Sequence, residues 1–155
     1  MQLNILAAVV AAALPLHGTV VPGTTFGGLR LGDTPDRVAA TWGTRFAVCR
    51  GCRRTTWYYN YAPYEPQGAA VEFRARRVAA LFTLWSPTGW HTPQGLRTGD
   101  TAAQVTSVYG LLTRLDCGTY DAYQLQRDGT VTAFYVFGEK VWGFGLSRRS
   151  GPVCR

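Results

Sequence analysis

Lysine is nearly absent from this chain: Lys140 is the only one, against fifteen arginines, and acidic residues number nine. Histidine is scarcer still, with His17 and His91 alone. That shortage argues against a Cys2His2-type zinc site, which needs two histidines or a second close cysteine pair. With no lysine near a glycine-rich turn, no phosphate-binding loop can be drawn, and no Gly-x-Ser-x-Gly nucleophile elbow occurs. No nucleic-acid-binding motif is present either. No apolar run reaches the roughly 18–20 residues that a membrane-spanning helix requires. These absences remove the commonest catalytic and cofactor constellations, so neither a cofactor nor a metal is expected.

The longest apolar run covers residues 3–16 at the N-terminus. It ends in small residues and is too short to span a bilayer, so residues 1–23 are expected to be a signal peptide and linker. Cleavage is placed after Ala13 or near Gly18. The first four residues, Met1-Gln2-Leu3-Asn4, lack the usual basic residue, and a buried N-terminal helix is the competing reading. Export predicts a secreted or extracytoplasmic protein with no transmembrane segment after processing. It also gives the four cysteines a role. Cys49, Cys52, Cys117 and Cys154 allow three pairings. Cys49–Cys52 within Cys-Arg-Gly-Cys and Cys117–Cys154 across the second half are preferred. A redox role for Cys49-x-x-Cys52 is less favoured, because the motif follows a short helix and precedes an aromatic strand rather than lying inside a βαβ unit.

Residues 28–43 read Gly-Leu-Arg-Leu-Gly-Asp-Thr-Pro-Asp-Arg-Val-Ala-Ala-Thr-Trp-Gly. Residues 95–110 read Gly-Leu-Arg-Thr-Gly-Asp-Thr-Ala-Ala-Gln-Val-Thr-Ser-Val-Tyr-Gly, with eight of sixteen positions identical. The match suggests a tandem duplication, with residues 24–87 as one repeat and 88–155 as the other in one compact unit. Each copy has helix punctuation. Thr34 is an N-cap followed by Pro35 at the first helical position, and Thr101 with Gln104 forms a capping box. Val38 with Trp42, and Val105 with Tyr109, make one buried stripe per helix. Gly43 and Gly110 stand where a C-terminal cap with positive φ belongs. The rest of each half alternates in the manner of strands: 55–61, 69–73 and 77–85, then 120–126, 130–137 and 140–147. The fold expected is therefore α+β: two tandem repeats, each a short helix on an antiparallel meander, joined in one curved six-stranded sheet.

A short helix announced by Gly-Leu-x-x-Gly-x-Thr, closed by an aromatic-Gly step and followed by a meander, resembles the repeat of the β-lactamase inhibitor proteins. It is also similar to the small lipoprotein domain of the bacterial outer-membrane assembly machinery. The resemblance spans about residues 28–147 and implies a helix-on-sheet fold and an exported setting. It carries over no inhibitory residue, and no cysteine follows the apolar run closely enough to serve as a lipid anchor.

Net charge is +7 and aromatic content 13%. Arginine clusters at 50/53/54, 74/76/77 and 148/149 suit an acidic protein or an anionic wall polymer better than nucleic acid, given export. Tyrosine and arginine together are enriched at interfaces. Candidate contact residues are Arg53, Arg54, Tyr58 and Tyr64 at one end of the sheet and Tyr123 and Tyr135 at the other. The expected function is a secreted or envelope-associated, non-catalytic binding module. The alternative is a secreted hydrolase using His91 with Ser86 and Asp100. Asp33 and Asp100 recur in both copies, but their place beside a helix N-terminus is a sufficient structural reason for them.

Overall fold

A computed structural model describes residues 18–59, 68–84 and 89–155. The expected leader up to His17, and with it Asn60, Tyr61, Tyr64, Trp85 and Ser86, lie outside the described residues. Two helices occupy the punctuated stretches, α1 (Pro35–Trp42) and α2 (Ala102–Tyr109). The Thr34 hydroxyl accepts from the Arg37 amide, and the Thr101–Gln104 capping box is complete. Gly43 and Gly110 have φ of 89° and 81°, but extended ψ, so each ends its helix by turning the chain outward into the next strand.

Strands dominate. β1 (Val20–Val21) and β2 (Thr25–Phe26) pair as a separate small hairpin. The others are β3 (Ala47–Val48), β4 (Thr56–Tyr59), β5 (Gly68–Arg74), β6 (Arg77–Leu84), β7 (Thr113–Asp116), β8 (Asp121–Arg127), β9 (Thr130–Phe137) and β10 (Lys140–Arg148). They form one antiparallel sheet in the order β3-β4-β5-β6-β10-β9-β8-β7. The first strand of each half thus sits at an outer edge, and the last strands, β6 and β10, pair at the centre with Leu81 opposite Leu146.

This architecture corrects the expected fold class. Among the described residues the protein is mostly β, with 46% strand and 13% helix, and it is not a pair of helix-on-meander α+β repeats. The sheet has eight strands rather than six. The two extra strands, β3 and β7, are exposed and short, so neither shows the alternation that marks a half-buried strand. Nor does each half bury its own helix in its own core. Val38 and Trp42 of α1, Val105 of α2, and Phe134 and Phe144 of the distant strands belong to one cluster spanning the whole sheet. An eight-residue helix presents only two turns, too little to cover a meander. The remaining cover on this face comes from the β1–β2 hairpin and from Trp90, which packs 4.9 Å from Phe26 and 5.8 Å from Trp42 between ring centroids. Gly18 and Gly27 allow that approach, since a Cβ at either would meet the Trp90 ring at 2.5 Å.

The two Gly-Asp turns that precede the helices are built alike. The Asp33 and Asp100 carboxylates accept from the Arg30 and Arg97 amides, each at 2.8 Å. The Gly32 and Gly99 amides donate to the Val78 and Val141 carbonyls, again at 2.8 Å. Each aspartate is therefore used in stitching its turn to a central strand.

Tyr59 shows how closely the helix-covered face is packed. Its ring meets Trp42 edge-on at 5.4 Å, and its hydroxyl donates to the Gly43 carbonyl at 3.1 Å. Burial pushes its pKa up from 10.0 to about 12. The unfolded tyrosine ionises near 10 and the folded one near 12, so above pH 10 the unfolded state loses its proton first. Stability is expected to be unaffected below pH 10 and to drain away between pH 10 and 12. Urea midpoints measured across that window should fall, and Tyr59→Phe should flatten the fall. A slope unchanged by Tyr59→Phe would show that this hydroxyl ionises as freely in the folded state.

Candidate functional site

Among the described residues, the second face of the sheet carries no helix. Period-two alternation sends Thr56 and Tyr58 of β4, Ala70 and Glu72 of β5, Phe82 of β6 and Tyr135 of β9 to this side. A strap, residues 151–155, crosses it. Val153 packs with Ala70, Phe82, Ala122, Val131, Ala133 and Tyr135 in a second, smaller core. The Tyr135 hydroxyl donates to the Val153 carbonyl at 2.7 Å. That reach depends on Gly145 of β10, because a Cβ there would stand 2.4 Å from the hydroxyl oxygen. Burial raises the Tyr135 pKa well above its ordinary value. Tyr120 fastens the last residue, donating to the Arg155 carbonyl and accepting from its amide at 2.6 Å.

The strap is also held by covalent and ionic bonds. Disulfides join Cys117 to Cys154 and Cys49 to Cys52. The Arg155 guanidinium, only 6% exposed, pairs with Glu72 at 2.9 Å and lies 5.1 Å above the Phe82 ring. The second carboxylate oxygen of Glu72 takes Arg54 at 2.7 Å. Glu72 is thus a nearly buried acid shared by two arginines, one from the loop before β4 and one from the strap.

Two hollows flank this junction. A groove of about 710 Å³ runs between the Cys49–Cys52 loop and the strap, bordered by Arg53, Arg54, Tyr58, Glu72, Phe82 and Arg155. Beyond Arg54, a smaller cleft of about 260 Å³ opens between the β5–β6 turn and the end of β10. Both are walled by arginine.

The structure brings Arg53, Arg54 and Tyr58 together along the groove. It does not bring the other expected contact residues to the same surface. Tyr123 is half-buried on the opposite face, against the larger core. Tyr135 is covered by the strap, and Tyr64 lies outside the described residues. Alternation within each strand is readable from sequence, but which face of β8 joins which face of β4 depends on strand order across the sheet. The residues missed were Glu72 and Arg155. A signal for Glu72 existed: a lone acid in the apolar strand Ala-Ala-Val-Glu-Phe is a buried charge in want of a partner.

His91 is exposed, and its Nδ1 lies 3.3 Å from the Gly89 carbonyl oxygen. The Asp100 carboxylate is taken by the Arg97 amide in its turn, and Ser86 lies outside the described residues. Among the described residues, no group of three or more His, Cys, Asp or Glu side chains is placed to hold a metal ion. No helix among them is long and apolar enough to cross a membrane.

No family model matches the chain, and no curated protein matches it. Among solved structures, the fold is similar to an extracellular protein containing an SCP domain from Bacillus anthracis, with a TM-score of 0.56 at 14% identity. The similarity covers 79% of this chain and 50% of that one, so the chain spans about half the length of that protein. A DUF4309-family protein from Bacillus subtilis matches at a TM-score of 0.48 and 10% identity, over 76% of this chain and 79% of that one. At 14% identity the likeness to the first of these is one of fold alone. Two disulfides with no free cysteine among the described residues fit an extracellular protein.

Proposed function

We propose that this protein is an extracellular, non-catalytic binding module that meets an anionic partner, a cell-surface polymer or an acidic protein, on the helix-free face of its sheet. The observation that carries this reading is the pair of arginine-walled hollows, whose one acid, Glu72, is already shared by Arg54 and Arg155. A surface that, among the described residues, keeps an excess of one sign attracts the opposite sign over a Debye length, and salt weakens that attraction. Disulfides that stabilise a small domain outside the cell suit the same setting.

The test is retention of the purified protein on cell-wall material and on an anionic polysaccharide matrix at about 50 mM and about 200 mM salt, a range over which multi-site ionic binding falls steeply. Retention is expected at the lower salt and largely lost at the higher. Arg53→Ser, which removes an exposed groove cation without touching Glu72, should elute earlier. Failure of the unaltered protein to bind any anionic material at low salt would overturn the reading.

A further inference from the structure

We propose that the smaller cleft is a dedicated subsite for a linear polyanion, a non-protein polymer carrying closely spaced phosphate or sulfate groups. This inference rests on the anionic-partner reading above and assigns it to particular residues.

The cleft lies where the ends of β5, β6 and β10 meet the loop before β4. Arg74 and Arg77 bracket the β5–β6 turn and Arg148 ends β10, in register beside the start of β6 because Ser147 pairs with Ala80. Arg54 enters from the loop before β4 and forms the boundary with the larger groove. The rest of the lining is alanine, valine, serine and glycine, with no carboxylate among the described residues. Arg54 has Glu72 as partner and Arg77 donates to the Gly32 carbonyl at 3.3 Å. Arg74 and Arg148 are exposed and, among the described residues, make no ion pair. Gathering such cations opposes folding through their mutual repulsion.

The turn between Arg74 and Arg77 carries a second, independent cost. Ala75 and Arg76 sit at φ of 49° and 58°, the left-handed region that both central positions of a type I′ hairpin turn require. The turns after β8 and β9 meet that demand with one glycine each, Gly129 and Gly138, beside Asp128 at 44° and Glu139 at 64°. Among the described residues, only this hairpin, the one bearing three arginines, places non-glycine residues at both. Its counterpart, Gly138-Glu139 before Lys140, holds one acid and one base. Strain and repulsion retained together at one turn point to a use for the site.

The lining also says what kind of anion fits. Protein interfaces rely on aromatic or large apolar anchors in a desolvated centre, and none borders this cleft. The arginine fork suits bidentate contact with phosphate or sulfate oxygens. Arg54 opens onto the larger groove with Arg53 beyond it, so a chain seated in the cleft can continue past the junction as a lone ion cannot.

The experiment compares two double variants with the same net charge, +5 from +7. Arg74→Ser with Arg148→Ser empties the cleft; Arg97→Ser with Arg127→Ser removes two exposed arginines elsewhere. Thermal unfolding confirms that both are folded. Binding is measured to long-chain polyphosphate, dextran sulfate, polyglutamate and inorganic phosphate over a salt series. The cleft variant is expected to lose at least tenfold in affinity for polyphosphate and dextran sulfate. Its log–log salt slope should fall by about one to two, as two ionic contacts would imply. The other variant should lose less than about twofold, and inorganic phosphate should bind negligibly. Equal losses in the two variants would overturn the cleft assignment while leaving an anionic partner in place. Equal dependence of polyglutamate on the cleft would overturn the polymer class in favour of an acidic polypeptide, and tight inorganic phosphate would reduce the site to a small-ion pocket. No binding by the unaltered protein to any probe would bring down the broader reading as well.

Discussion

Replacing Cys117 and Cys154 together by alanine is expected to cost about 4 kcal/mol of stability, whereas Cys49→Ala with Cys52→Ala should cost about 2. The difference follows from chain entropy. The first bond closes a sequence separation of 37 residues and the second only 3, and a longer loop removes more freedom from the unfolded chain. The structure adds a folded-state reason with the same sign. Cys154 sits between Val153, which fills the smaller core, and Arg155, which neutralises Glu72. Freeing Cys154 loosens the cover over Phe82, Ala133 and Tyr135. For a domain of this size the melting temperature should drop by roughly 10 °C or more. Thermal unfolding of both double variants, with the native protein under oxidising and reducing conditions, checks this. A Cys117/Cys154 variant no less stable than the Cys49/Cys52 variant would mean that the strap is held without its covalent tie.

Glu72→Gln should destabilise by about 3–5 kcal/mol, the usual result of removing one partner from a buried ion pair. The glutamine keeps the shape but leaves Arg155, 6% exposed, without a counter-charge. Arg54 suffers less, because a third of its side chain reaches water. Replacing the pair together, Glu72→Leu with Arg155→Leu, should recover most of the loss, since a buried pair and well-packed apolar residues of similar size are often close in stability. Phe82 beneath the Arg155 guanidinium offers an apolar floor for the leucine. Denaturant midpoints for the single and double changes decide the matter. If the double variant is as unstable as the single one, the ion pair contributes more than compensation of its own burial.

How much of this was legible beforehand depends on how local each feature is. Thr34-Pro35, Thr101 with Gln104, and the two aromatic-Gly steps mark helix ends through bonds made within a few residues, and both helices fall where those signals place them. Asp128-Gly129 and Gly138-Glu139 mark hairpins for the same reason. β3 and β7 were illegible as strands because both are exposed edges without an alternating face. Tyr123 and Tyr135 looked equivalent on the page, yet one faces the larger core and the other the strap. The arginines at 54, 74, 77 and 148 formed three separate runs in the sequence.

The sequence by itself determined the helix limits, most hairpins, an excess of arginine over every other charge, and an even set of cysteines suited to an oxidising compartment. Those features rest on backbone preferences, composition and contacts between near neighbours. Tertiary structure alone decided the β6–β10 pairing at the centre of one eight-stranded sheet and the mostly-β class that follows from it. It also decided the path of the strap and the meeting of Arg54, Glu72 and Arg155. Arg155 and Glu72 are 83 residues apart. Nothing in either residue's local sequence favours the contact; it forms because strand order lays the second face open and the strap is long enough to cross it.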